Sequence, residues 1–170
     1  MPLKKPKDLP KIPKTRKKKA EAAIAAIPQK KADKLEYFCK AFYEYDDVLK
    51  QQFAVLSIQT IVEFTSFAYE ISVEVLKEKD SINLIIMGLS AQTNMVPQVQ
   101  PARYDVRLED LNGEINVNVV KQDGSINSAV YGLNVFKKEI QLVTQFIPEK
   151  KNNRLFCQFS VDKDSFTFGE

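Results

Sequence analysis

Apolar and polar residues alternate along most of the chain after residue 55, as in β-strands with one buried face. Apolar side chains occupy every second position in residues 69–75, and residues 82–89 are nearly all apolar. Alternating runs return at residues 140–146 and 155–161, with short polar clusters between the runs. We therefore expect a mainly β (α+β) protein in which about eight strands form an antiparallel β-sandwich or a partly closed barrel.

One pair of residues predicts how two of these strands join. Asn112-Gly113 is typical of a type I′ hairpin turn, because both central residues of that turn need a positive φ. A two-residue loop there would pair Leu108 with Val117 and place the apolar residues of both strands on one face. The pattern therefore predicts an antiparallel hairpin centred on this turn.

Two further turns are predicted nearby. Asp123-Gly124 repeats the hairpin signal and adds a strand from residue 126 to about residue 136. The polar cluster at residues 77–81 separates two apolar runs, which indicates another hairpin.

Two stretches before the strands have helical patterns. Ala, Lys and Glu dominate residues 17–26 until Pro28 ends the run, which predicts a short helix. Residues 33–53 have apolar residues at spacings of three and four, which predicts a longer amphipathic helix. Residues 55–64 are rich in β-branched residues and are expected to form a strand, with a continuation of the long helix through residues 54–66 as the open alternative.

The long helix allows a second architecture. A curved sheet would wrap around helix 33–53 and leave an apolar pocket between them. That arrangement resembles nuclear-transport-factor-like and cystatin-like folds in its order of elements alone.

The charge is divided unevenly along the chain. Residues 1–31 carry 11 basic and 2 acidic side chains, net +9, whereas residues 32–170 carry 14 basic and 20 acidic side chains, net −6. Prolines at four of the first thirteen positions favour an extended start. We therefore divide the chain into a basic Lys/Pro-rich arm, residues 1–31, and a helix-plus-sheet domain, residues 32–170.

The sequence has no recognisable catalytic or metal-binding signature. Histidine is absent, which removes imidazole-based triads and zinc sites, and Walker and Rossmann glycine patterns are missing. Cys39 and Cys157 lie in apolar patterns and would lack a histidine partner. We therefore expect no catalytic residue, no metal site and no cofactor. Two distant thiols and the lack of an apolar run of roughly 20 residues favour a cytoplasmic protein without a transmembrane segment.

The basic arm is the strongest indication of function. It predicts a non-enzymatic binding or assembly protein whose β domain docks on a larger complex while the arm contacts an anionic partner, which is RNA, DNA or an acidic protein surface. Lysine dominates the arm, which favours contact with spread charge over bidentate readout of bases. The candidate partner-binding residues are Lys4, Lys5, Lys7, Lys11, Lys14, Arg16, Lys17, Lys18, Lys19, Lys30 and Lys31.

The sequence is also compatible with other functions. In one alternative the protein carries an apolar small ligand between helix 33–53 and the sheet, in contact with Phe38, Phe42 and Tyr45. In another, the lysines of the arm attach the protein to an anionic membrane surface. A disordered arm that only increases solubility is a further alternative.

Overall fold

The structure is a computed structural model that describes residues 15–65, 68–92, 96 and 98–170. In this part the chain forms one α-helix and nine strands, which confirms a mainly β fold. The helix, α1, spans Arg16–Ala25, and a 3₁₀ turn spans Lys163–Ser165. The strands are β1 Tyr37–Asp46, β2 Gln51–Phe64, β3 Ala68–Lys77, β4 Ser81–Gln92, β5 Gln100–Leu108, β6 Asn112–Lys121, β7 Ile126–Asn134, β8 Glu139–Phe146 and β9 Cys157–Val161.

The strands form one sheet that curls into a nearly closed barrel. Their order is β8-β7-β6-β4-β3-β5-β2-β1-β9. Most neighbours are antiparallel, and the hairpin predicted around residues 77–81 forms as β3 and β4. However, β4 pairs with β6 and β1 pairs with β9 in parallel. The partly closed barrel is therefore confirmed, but the sheet is mixed and not purely antiparallel.

Two seams divide the barrel. At the first, β3 and β5 pair at a single position, where Glu70 lies opposite Arg103. At the second, no ladder joins β8 to β9 among the described residues. We call these the β3/β5 seam and the β8/β9 seam. Among the residues that the structure describes, backbone N–H and C=O groups at each of these strand edges have no strand partner.

Side-chain amides satisfy backbone groups at the β8/β9 seam. Asn127 Oδ1 accepts hydrogen bonds from the backbone N–H groups of Phe156 and Cys157, at 2.8 and 2.9 Å. Gln145 Oε1 accepts from the N–H of Phe159 at 3.3 Å. These bonds replace a ladder, because a buried backbone N–H without an acceptor costs free energy.

Inward-facing side chains fill the space inside the barrel. In β1 the buried inward residues alternate as Cys39, Ala41 and Tyr43. The fully buried ring of Tyr131 crosses the core, and its hydroxyl lies 3.2 and 3.0 Å from the carbonyl oxygens of Cys39 and Ser160. This core joins the two halves of the barrel where their backbones do not pair, and full burial of a large apolar side chain contributes about 1.5–3 kcal/mol.

The helix predicted over residues 33–53 is wrong, because this segment forms β1, a turn and the start of β2. Asp46 Oδ1 accepts hydrogen bonds from the backbone N–H groups of Val48 and Leu49, each at 2.9 Å. Lys50 then adopts a positive φ of 53°. A side-chain-capped turn of this kind reverses the chain without Gly or Pro, so no breaker marks it in the sequence. The strand expected at residues 55–64 is confirmed as part of β2, and the architecture with a sheet around a long helix is wrong.

The spacing of three and four in this segment has a different origin. Both faces of β1 carry apolar residues: Cys39 faces the core, whereas Phe42 packs with Phe53 and Val55 in a cluster on the outer face. A strand with two apolar faces loses its simple alternation. Its aromatic residues then recur at intervals that match a helix by coincidence.

The hairpin predicted at Asn112-Gly113 is also wrong. β5 pairs with β2 and β3, whereas β6 pairs with β4 and β7. Gly113 does adopt a positive φ of 100°, but Asn112 begins β6, and its Oδ1 accepts from the N–H of Val135 at 3.1 Å. Matching apolar faces on β5 and β6 show only that both strands face the same core. Strands that are not neighbours can do this equally well.

The hairpin predicted at residues 123–124 forms between β6 and β7 with a loop of three residues. The N–H of Lys121 donates to the carbonyl of Ser125, and the N–H of Gly124 donates to the carbonyl of Lys121, each at 2.9 Å. Gly124 has a φ of 93°, which suits a type I turn followed by a bulge. The third loop residue shifts the observed register by one residue from the predicted register.

The helix predicted at residues 17–26 is confirmed as α1, and it packs on the outside of the sheet. Its buried residues, Ala20 and Ala23, contact Ile85 of β4 and Val120 of β6. Small side chains on this face let the helix backbone approach the strands closely. The part of the basic arm that forms α1 is therefore attached to the domain.

The end of α1 lies against the turn between β6 and β7. Lys150 Nζ donates to the carbonyl oxygens of Ile24 and Gly124, each at 2.8 Å. A cation here satisfies a carbonyl that the end of a helix leaves free. A Cβ on Gly124 would overlap the Ala26 carbonyl oxygen, so this close approach needs glycine.

We expect Gly124→Ala to destabilise the protein more than Gly113→Ala. Both glycines have a positive φ, which costs an alanine about 1–2 kcal/mol. Only at Gly124 would the new Cβ meet neighbouring atoms, which should add about 1–3 kcal/mol, because Gly113 has open space around it. Urea unfolding of both variants measures the difference. Equal losses of stability would contradict the close contact between α1 and the turn.

Candidate anion-binding surface

The structure describes six of the eleven residues predicted to bind a partner. All six are exposed to solvent. Four of them begin α1, and two follow it in the segment that leads to β1. They are Arg16, Lys17, Lys18, Lys19, Lys30 and Lys31. The other five, Lys4, Lys5, Lys7, Lys11 and Lys14, lie outside the described residues.

Four consecutive cations form the first turn of α1. Thr15 is the N-cap, and its Oγ1 accepts from the N–H of Lys18 at 3.4 Å. This turn has no acidic residue. The helix dipole places a partial positive charge at the same end, so residues 16–19 add to the positive potential. Cations at the positive end of the dipole destabilise the helix, so an anion bound beside this turn would stabilise it.

Arg16 differs from the other cations of this turn because the domain binds it. Its Nε lies 2.6 Å from Glu74 Oε2, and its Nη2 donates to Ser72 Oγ and to the Val73 carbonyl at 2.9 and 2.8 Å. These groups lie at the β3/β5 seam, where the guanidinium takes the place of a strand partner. Lys17, Lys18 and Lys19 have no ion pair within the described part of the chain. Their side chains are therefore available to bind an external anion.

The segment after α1 is held more loosely. Lys31 Nζ lies 3.8 Å from Asp123 Oδ2, and Asn152 Nδ2 donates to the Pro28 carbonyl at 3.1 Å. An exposed ion pair of this length contributes about 0–1 kcal/mol. Lys30 and Lys31 can therefore turn to an external anion at little cost.

A charge cluster that sequence reasoning missed anchors the end of this segment. Glu36 Oε2 accepts from Lys121 Nζ at 2.7 Å and from Arg154 Nη2 at 2.9 Å. The Arg154 side chain is only 4% exposed, and both cations lie against the ring of Phe156. The three charged residues are far apart in the sequence, and no local pattern marks them. The cluster determines where the chain from α1 joins β1.

The pKa of Glu36 lies below its ordinary value. Burial raises the pKa of this carboxyl, but hydrogen bonds and charge attraction from Lys121 and Arg154 outweigh it. A carboxyl whose pKa is lower in the native than in the unfolded protein stabilises the fold above its unfolded pKa. That contribution is lost as the pH falls through the native pKa.

We expect Glu36→Gln to reduce the free energy of unfolding by about 1–3 kcal/mol near neutral pH, because the buried Arg154 loses its charged partner. The difference from the parent protein should shrink as the pH falls below the ordinary glutamate range. Urea unfolding at several pH values measures this trend. The exposed Glu149→Gln serves as control and should differ little from the parent at any pH. A deficit that is constant with pH would contradict the role of the charge.

The three rings predicted to hold an apolar ligand do not share a site. Phe38 and Phe42 belong to the outer face of β1, with Phe42 in the outer cluster. Tyr45 is on the opposite face of β1 from these two rings. It lies against the C-terminal segment, where a Cβ on Gly169 would overlap its ring. Because helix 33–53 is absent, the predicted site between that helix and the sheet does not form.

No group of three or more Cys, Asp or Glu side chains in residues 15–65, 68–92, 96 and 98–170 could hold a metal ion. Burial raises the pKa of Cys39 to about 12 and also raises the pKa of Cys157, which disfavours a reactive thiolate. In the same residues, no helix has the length and apolar character needed to cross a membrane.

No protein-family model, curated protein or solved structure matches this chain.

Proposed function

We propose that this is a non-enzymatic binding or assembly protein whose basic arm contacts an anionic partner, either nucleic acid or an acidic protein surface. Its β domain would dock on a larger complex at the same time. One observation carries this proposal: Lys17, Lys18 and Lys19 are exposed together at the positive end of α1, while Arg16 attaches that helix to the domain. The cations are thus presented from a defined position.

The charge distribution supports this proposal. The arm has a net charge of +9 and the rest of the chain a net charge of −6. A polyanion would be attracted to the arm and repelled by the acidic remainder, which orients an encounter. Lysines act as point charges toward phosphates and carboxylates, so contact without sequence readout is expected.

The packing of α1 favours a nucleic acid or an acidic protein over a membrane. A helix that lies on a membrane inserts an apolar face into the lipid. In α1 the two buried residues, Ala20 and Ala23, already face the sheet. Attachment to lipid would then depend on lysines alone, at about 1 kcal/mol for each residue near the surface.

Neutralising the three lysines should weaken binding to polyanions. We expect the variant Lys17→Gln, Lys18→Gln, Lys19→Gln to elute from heparin at lower salt and to bind single-stranded RNA more weakly. The slope of log affinity against log salt should fall by about 2–3, since each lost phosphate contact reduces the number of released counterions. Arg16 is retained, so α1 should stay attached. Fluorescence anisotropy with labelled RNA at several salt concentrations measures both effects.

The matched control removes the same charge elsewhere. Lys79, Lys137 and Lys163 are exposed and lie outside the arm, so the variant with glutamine at these three positions has the same net charge. We expect it to bind RNA almost as well as the parent protein. Equal binding by the two triple variants would overturn the proposal. If poly-glutamate but not RNA displaces the protein from heparin, this would identify an acidic protein as the partner.

A further inference from the structure

We propose that the β3/β5 seam binds an extended peptide of a partner protein that carries arginine or lysine at alternate positions. This inference concerns the carboxylates of β3 and not the lysines of α1, although Arg16 of the basic arm contacts the same groove.

The seam leaves a groove on the outer surface of the barrel. Pairing between β3 and β5 is limited to Glu70 and Arg103. Beyond this point a groove of about 580 Å³ lies along β3, lined in part by Ser72, Glu74 and Tyr104. A second groove of about 550 Å³ adjoins it and shares Glu70 and Tyr104.

The edge of β3 in this groove can pair with a peptide backbone. The Val73 carbonyl points into the groove, where Arg16 Nη2 donates to it at 2.8 Å. Alternate residues of a strand present their backbone groups to the same edge, so Ile71 and Val75 face the groove as well. A peptide added to such an edge gains main-chain hydrogen bonds, as in other complexes formed by strand addition.

The outward side chains of β3 along this edge would favour basic residues in the bound peptide. Glu70, Ser72 and Glu74 alternate along β3 and so share its outer face. A strand placed beside β3 would present its own outward side chains opposite this row at intervals of two residues. Carboxylates and a hydroxyl at that spacing match arginine or lysine at alternate positions of the peptide.

One guanidinium group of this chain already binds to this edge. Arg16 of α1 pairs with Glu74 and donates to the carbonyl of Val73, whereas the guanidinium of Arg103 pairs with Asp105 of its own strand. Arg16 therefore occupies part of the edge that a partner strand would use. Binding of the peptide should displace Arg16 from β3, which makes this residue a competitor.

The test uses the full chain and a defined probe. The probe is a fluorescein-labelled peptide of eight residues in which arginine and valine alternate, and a peptide of equal composition with its four arginines in one block is the comparison. We expect the alternating peptide to bind more tightly in fluorescence anisotropy. Glu74→Gln should weaken its binding about two- to fivefold, as expected for loss of one exposed charge pair.

Arg16 supplies a matched pair of variants. Arg16→Ala removes the competitor from Val73 and should tighten binding of the alternating peptide. Lys18→Ala changes the net charge by the same amount but makes no contact with the groove, so it should have little effect. Hydrogen exchange by NMR should show new protection of the amides of Val73 and Val75 when the peptide is bound.

Several outcomes would overturn the proposal. Equal tightening by Arg16→Ala and Lys18→Ala, or indifference to Glu74→Gln, would indicate attraction to the acidic domain as a whole. Protection outside residues 70–75 would place the peptide elsewhere. Self-association in light scattering that Glu74→Gln abolishes would make a second copy of the chain the occupant. RNA binding should survive Glu74→Gln, so failure here is distinguishable from failure of the anion-binding proposal.

Discussion

Most of this structure depends on one constraint: a barrel whose strands do not complete the hydrogen-bond ladder must satisfy its free edges by other means. At the β8/β9 seam, Asn127 and Gln145 supply amide oxygens to backbone N–H groups. At the β3/β5 seam, Arg16 supplies a guanidinium to a backbone carbonyl. Buried core residues such as Tyr131 then hold the two halves together. At each seam, a side chain thus takes the place of a strand partner.

The basic arm and the β domain are coupled through one of these seams. Arg16 belongs to the arm by sequence and charge, yet its partners are on β3. The opposite charges of the two parts of the chain therefore have a structural role as well as an electrostatic one. Within the first turn of α1, Arg16 contacts β3, whereas Lys17, Lys18 and Lys19 stay exposed. Arg16 therefore attaches the first turn of α1 to the domain, and the three lysines that follow it are exposed to solvent.

Sequence patterns predicted correctly those features that depend on neighbouring residues. The short helix at 17–26 and the strands after residue 55 follow from composition and alternation. Two predictions failed where tertiary packing decided the outcome. Residues 33–53 have the sequence pattern of a helix because β1 has apolar residues on both faces. Asn112-Gly113 has the sequence of a hairpin turn, but Asn112 accepts a hydrogen bond from the N–H of Val135. Local preference is weak beside the free energy of burying a strand on both sides.

The sequence by itself determined the mainly β character of the chain, the position of most strands and the separation of charge, because alternation and charge can be read residue by residue. It also identified the cations of the candidate surface. Only the tertiary structure decided the strand order, the two seams and the different roles of Arg16 and its neighbouring lysines. The Glu36 cluster belongs to the same group, since Lys121 and Arg154 reach it from distant parts of the chain. Such contacts depend on the folding of the whole chain, and no local pattern encodes them.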